Sequence, residues 1–125
     1  VLREIGAYLA TKSIGTVGTD IFLGLMPDQP DNCIALFEYA GLPPDLHWNG
    51  EYPGLQVRVR NKSYAAARTK IGEAMTALHG LHETVLGGTR YLLVKARGSP
   101  EVLKRDNNNR VELFVNFEII KESDY

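Results

Sequence analysis

The sequence predicts an α+β fold: a mainly antiparallel, mixed sheet of about five strands with two helices packed on one face, in the order α-β-β-β-α-β-β. Three observations predict it. Leu55–Arg60 and Val111–Ile120 alternate apolar and polar residues, as half-buried strands do. One long segment, Tyr64 to Leu81, carries apolar residues at helical spacing. Helices are too few for a doubly wound parallel sheet, which needs one per crossover.

Each element has its own justification. Leu2, Ile5 and Leu9 fall on one helical face, and Gly15 and Gly18 close that helix. Asp20–Met26 is a strand, stopped by Pro27, Asp28, Gln29, Pro30 and Asp31, which cannot continue a ladder. Cys33–Tyr39 reads as a strand covered on both faces. Ile34 and Leu36 point one way, and Cys33, Ala35, Phe37 and Tyr39 the other. Gly41–Gly54, with Pro43, Pro44, Gly50 and Pro53, is the longest irregular stretch and a candidate contact surface. Leu55–Arg60 is the third strand.

Ser63 offers an N-cap for the long helix. Its apolar stripe is Tyr64, Ala67, Ile71, Met75, Leu78 and His82, and Gly80 or Gly87-Gly88 ends it. Arg90–Arg97 is the fourth strand. Gly98, Ser99 and Pro100 break it, and Lys104–Arg110 is a polar loop around Asn107, Asn108 and Asn109. Val111–Ile120 is the fifth. The expected core is Leu55, Val57, Val59, Ile71, Met75, Leu78, Leu113, Val115 and Phe117.

The chain has 125 residues, a length that fits one domain spanning 1–125. Hydrophobic residues make up 44% and charged residues 23%, which argues against disorder. The net charge of −1 argues against a strongly basic nucleic-acid binder. The single cysteine, Cys33, excludes an intrachain disulfide, and a reducing compartment is expected. Apolar runs are only a few residues long, so no membrane span is expected. Val1–Lys12 lacks a basic region followed by an apolar core, so it does not read as a signal peptide.

A search for chemistry yields little. His79 and His82 sit three apart, the spacing of two metal ligands at a helix end. No cysteine lies near them in sequence and no second His pair exists, so the pair reads first as helix-end polar residues. Cys33 lies in an apolar strand and reads as an inert core residue. Gly15, Gly18, Gly24 and Gly41 match no phosphate loop or dinucleotide fingerprint. Gly87-Gly88 precedes a strand rather than a helix, the wrong context for a phosphate cradle. Asp28 and Asp31 flank Pro30 and read as turn residues rather than cation ligands. No catalytic residue, cofactor or metal site is expected.

The distribution of charge says more than its sum. Between Ser13 and Val57 lie six acids (Asp20, Asp28, Asp31, Glu38, Asp45, Glu51) and no lysine or arginine. Between Arg58 and Lys70 lie five bases (Arg58, Arg60, Lys62, Arg68, Lys70) and no acid. Three readings stay open. The charges are solvated faces; or acidic and basic flanks of neighbouring copies meet head to tail; or the bases form a nucleic-acid patch, with only Tyr64 as an interleaved aromatic. Under the second reading, Arg58, Arg60, Lys62, Arg68, Lys70, Asp28, Asp31 and Glu38 are the candidate interface residues.

Several motifs together resemble a family. Gly24-Leu25-Met26-Pro27, followed by Pro30-Asp31-Asn32-Cys33-Ile34-Ala35-Leu36, is similar to a segment of the minor capsid or tail terminator proteins of long-tailed phages. Pro53-Gly54-Leu55-Gln56-Val57-Arg58-Val59-Arg60, with Tyr64-Ala65-Ala66-Ala67 opening a helix, resembles that family's strand-then-helix core. Ser99-Pro100 and Asn107–Arg110, leading into Phe114-Val115-Asn116-Phe117, look like its C-terminal hairpin. The resemblance covers roughly Asp20 to Ile120. It implies a non-enzymatic virion protein that assembles as a homohexameric ring. The ring would cap the head-proximal end of the tail tube, stop its growth and meet the head connector. Genomic DNA would pass through its channel without sequence-specific binding. The implied location is the tail neck of the virion, with assembly in the host cytoplasm. A head-completion or connector protein of the phage neck is the alternative within this class. A small metal- or nucleic-acid-binding domain is the alternative outside it.

Overall fold

The computed structural model describes residues 1–123. The elements run α1 (Leu2–Thr11), β1 (Ile21–Leu23), β2 (Cys33–Leu42), β3 (Gly50–Asn61), α2 (Tyr64–Leu78), β4 (Leu81–Leu86), β5 (Thr89–Ala96), β6 (Glu101–Arg105) and β7 (Val111–Glu122). All strands join one sheet in the order β1-β2-β3-β7-β5-β4, with β6 paired to β7 off this path. β1 and β2 are parallel, and the other pairs are antiparallel.

The α+β class holds, but the strands number seven rather than about five. The two additions are β4 and β6. The helical pattern was expected to run to Leu81. Instead α2 ends at Leu78, and Gly80, at φ +85°, turns the chain into β4. Gly87 and Gly88 both have positive φ and join Leu86 to Thr89 in a two-residue hairpin. β6 is exposed along its whole length, so its sequence carries no in-out alternation to read. The irregular Gly41–Gly54 stretch also shrinks. β2 runs on to Leu42 and β3 starts at Gly50, leaving residues 43–49 as the tip of a long hairpin.

The core lies between one face of the sheet and both helices. Val57 pairs with Leu36 on one side and Val115 on the other, and Val59 pairs with Ile34 and Leu113. This apolar block meets Ala67, Ile71, Ala74 and Leu78 of α2 and Ile5 and Leu9 of α1, all fully buried. The expected core is buried except for Met75, which packs partly exposed against it. The stripe of α2 therefore runs through Ala74 rather than Met75, and Tyr64 at its start faces solvent. Ser63 caps the helix as expected, its hydroxyl accepting from the Ala66 N–H at 3.2 Å.

The opposite face of the sheet is polar and only partly covered. Cys33, Arg60, Glu112 and Arg110 are buried, with Arg60 and Arg110 held against the segment 27–31. β2 is thus covered on both faces only from Cys33 to Leu36, and its residues beyond Phe37 are exposed. At the far end of β3 and β7 the register partners Glu51 and Lys121 form an ion pair at 3.0 Å.

Candidate functional site

The segregated charges meet within one chain. Arg60, on β3, is only 4% exposed. Its guanidinium donates to the carbonyls of Pro27, Asp28, Pro30 and Asp31, the last two at 2.7 and 3.1 Å. A planar fork of five donors suits four converging carbonyls. Arg60 therefore staples the Pro27–Asp31 loop to the sheet.

Arg110, at the foot of β7, completes the cluster. It is ion-paired with Asp106 at 2.8 Å, Asp28 at 2.9 Å and Asp31 at 3.2 Å, and also donates to the Asp28 carbonyl. Lys62 pairs with Asp31 at 3.3 Å, and its N–H donates to the Asn32 side chain. Burial pushes the Asp31 carboxyl up, but Lys62 and Arg110 outweigh it and hold its pKa below the ordinary value. Asp106 shows the same balance. Burial raises it, and the Arg110 and Asn108 hydrogen bonds bring the net below the ordinary value. Beneath the cluster, burial raises the Cys33 thiol despite Arg60 and Arg110 nearby, which suits an unreactive side chain.

These contacts correct the expectation of separate acidic and basic flanks. Asp28, Asp31, Arg60 and Lys62 share one flank, where Lys62 and Arg110 pair with Asp31, Arg110 pairs with Asp28, and Arg60 binds the backbone carbonyls of the loop. The reason is the register: β2 pairs Cys33 with Arg60, which brings the loop preceding β2 over the end of β3. Sequence reasoning missed Arg110. Its only sequence signal is the Asp106–Arg110 spacing across an asparagine turn, which matches the observed i,i+4 ion pair.

The remaining candidates are less committed. Arg68 donates to the Pro100 carbonyl at 3.2 Å, and Lys70 to the Ile14 carbonyl at 3.0 Å, so both tie α2 to neighbouring loops. Arg58 lies over the Phe37 ring at 4.5 Å and donates through Nε to Gln56 at 2.6 Å. It lines an open cleft of about 410 Å³ with Met26, Lys104 and Glu112. Glu38 is exposed on the distal half of β2. Among the described residues, neither Arg58 nor Glu38 has an ion-pair partner.

The two histidines do not form a pair of helix-borne ligands. His79 caps α2, and its Nδ1 accepts from the Ala96 N–H at 2.9 Å. His82 lies on β4, with Nδ1 3.0 Å from the Gly80 carbonyl. The turn at Gly80 removes the helical spacing assumed for them. Among the described residues, no group of three or more His, Cys, Asp or Glu side chains converges as a metal site.

A fold of this kind occurs in virus-like particles. A chain in the solved virion of a native gene transfer agent particle superposes with a TM-score of 0.66, covering 98% of this chain and 89% of that chain at 17% identity. That likeness shows the fold. The family comes from the sequence: the profile of the bacteriophage tail terminator proteins matches residues 8–123, and the chain belongs to that family. It is accordingly a structural component of a phage tail. Among curated proteins, none matches the sequence.

Proposed function

We propose that the chain, acting as one domain over 1–125, forms a homohexameric ring at the head-proximal end of a phage tail tube. The ring ends tube polymerisation and offers its other surface to the head connector. It assembles in the host cytoplasm and remains in the neck of the virion. The observation that carries this reading is the tail terminator profile over residues 8–123. The exposed hairpin tip supports it, with Leu42 and Leu46 projecting into solvent on a two-stranded arm. Arg58 and Glu38 are the charges we assign to subunit contact. Arg60, Lys62, Asp28 and Asp31 shape that flank from within, and Arg68 and Lys70 lie at its margin. DNA passes through the ring without a specific site, and no catalytic step is assigned.

The test is tube assembly. Tail tube protein polymerised with the chain present should give tubes of limited length, each with density at one end in electron micrographs. Tubes of unchanged length with bare ends would refute the capping role. Density appearing on isolated head connectors but never on tubes would favour the head-completion alternative.

A further inference from the structure

Two open edges of the sheet, on β2 and β6, lie on opposite sides of it and match. The first is on β2. β1 covers only Ile34–Leu36 of that strand. The Ile34 N–H donates to the Asp20 carbonyl and the Leu36 carbonyl accepts from the Gly24 N–H, both at 2.7 Å. Residues 34 and 36 thus turn their backbone groups towards β1. The two-residue repeat turns those of Glu38 the same way, past the point where β1 has ended. The second open edge is on β6. This strand pairs only with β7, and every residue in it is exposed. β3 and β7 lie between the two edges.

Side chains at these edges mix charge with exposed apolar surface. Native edges are commonly short, charged or covered. β6 is short and carries Glu101, Lys104 and Arg105, but it also exposes Val102 (52%) and Leu103 (40%), and the distal half of β2 exposes Tyr39 and Leu42. The charges are complementary and on the same face. Glu38 is the register partner of Leu55, a core residue on the helix side. Arg105 is the register partner of Val111, also on the helix side. A sheet continued from β2 of one copy into β6 of the next therefore brings Glu38 and Arg105 to the same surface.

We propose that β6 of one copy adds to the distal edge of β2 in the next copy, with Glu38 facing Arg105. The occupant of each edge is a second copy of this chain. The contact is heterologous, since one edge meets a different one, and such contacts close into rings when the rotation permits. Backbone hydrogen bonds supply the pairing, Val102 and Leu103 lose exposed apolar surface, and the ion pair fixes register. This inference rests on the ring reading and names the contact that closes the ring.

Sedimentation velocity and disulfide trapping test it together. Glu38→Lys or Arg105→Glu alone should raise the concentration needed for assembly by about tenfold, since an opposed pair becomes a like-charge pair. The double variant Glu38→Lys/Arg105→Glu should recover most of that loss. Thermal melting of each variant shows that the monomer still folds. In a Cys33→Ser background, mixing Glu38→Cys with Arg105→Cys should give a cross-linked dimer on oxidation, and neither variant alone should. Rings that assemble unaffected by either reversal, without cross-links, would overturn the edge pairing and leave the ring reading intact. Cross-links from Arg105→Cys to a tube protein would also overturn it. A wild-type chain that stays monomeric in the presence of tail tubes would sink both.

Discussion

Arg60 shows how a charged residue on an exposed-looking strand face becomes structural. Its alternation with Val57 and Val59 was legible, and so was its placement opposite the core. What sequence could not show was the Pro27–Asp31 loop folding over it, because that depends on a register of β2 against β3 set by the whole apolar face. With four carbonyls converging on one guanidinium, an ammonium cannot replace the fork. Arg60→Lys should lower unfolding free energy by about 1.5–3 kcal/mol in urea titration. An unchanged midpoint would mean that the loop holds without the staple. The same cluster predicts acid sensitivity. Asp31 and Asp106 have folded pKa values below the ordinary 3.8. Their contribution to stability is therefore fully present above that value and is lost as pH falls through the depressed one. Arg110→Met should flatten the acid limb of a stability profile measured between neutrality and strong acid. An identical limb in both proteins would remove the cluster from the account.

At the scale of elements, what the sequence revealed depended on burial. β3 and β7 bury one face along their length, so alternation marked them, and the helix between Ser63 and Leu78 was marked by its cap and its stripe. β6 buries neither face, and β4 buries little, so neither left a periodic trace. The extra turn read into α2 came from His82, which continues the helical spacing but sits beyond Gly80. Core membership was the most legible feature. Ile71 is fully buried at the centre of the α2–sheet contact. Ile71→Ala should cost about 2–5 kcal/mol, the range for emptying a large aliphatic site. Equilibrium denaturation measures it directly, and a loss under 1 kcal/mol would mean that the helix collapses onto the gap or packs more loosely than the contacts imply.

For the whole molecule, the proposed ring raises the question of how a channel that passed DNA would avoid gripping it. Composition gave a net charge of −1, yet five bases in thirteen positions from Arg58 to Lys70 allowed a nucleic-acid patch. Folding removes much of that patch. Arg60 is sealed beneath the Pro27–Asp31 loop, Lys62 shares Asp31, and Arg68 and Lys70 bind loop carbonyls. Had all five bases met phosphates, affinity for duplex DNA would fall with a log–log salt slope of about −4.5. With only Arg58 of these five at liberty, this patch should give a slope no steeper than about −1. Fluorescence anisotropy of a labelled duplex across a salt series measures it. A slope near the steeper value would show that the Asp28–Asp31–Arg110 cluster opens to release its bases. The channel would then be an electrostatic brake on the genome, and the internal pairing of charge would be a switch between two states of the flank. A shallow slope means that the same ion pairs that hold the loop also keep the phosphate backbone from binding. The stability of the flank and the free passage of DNA then have one physical origin.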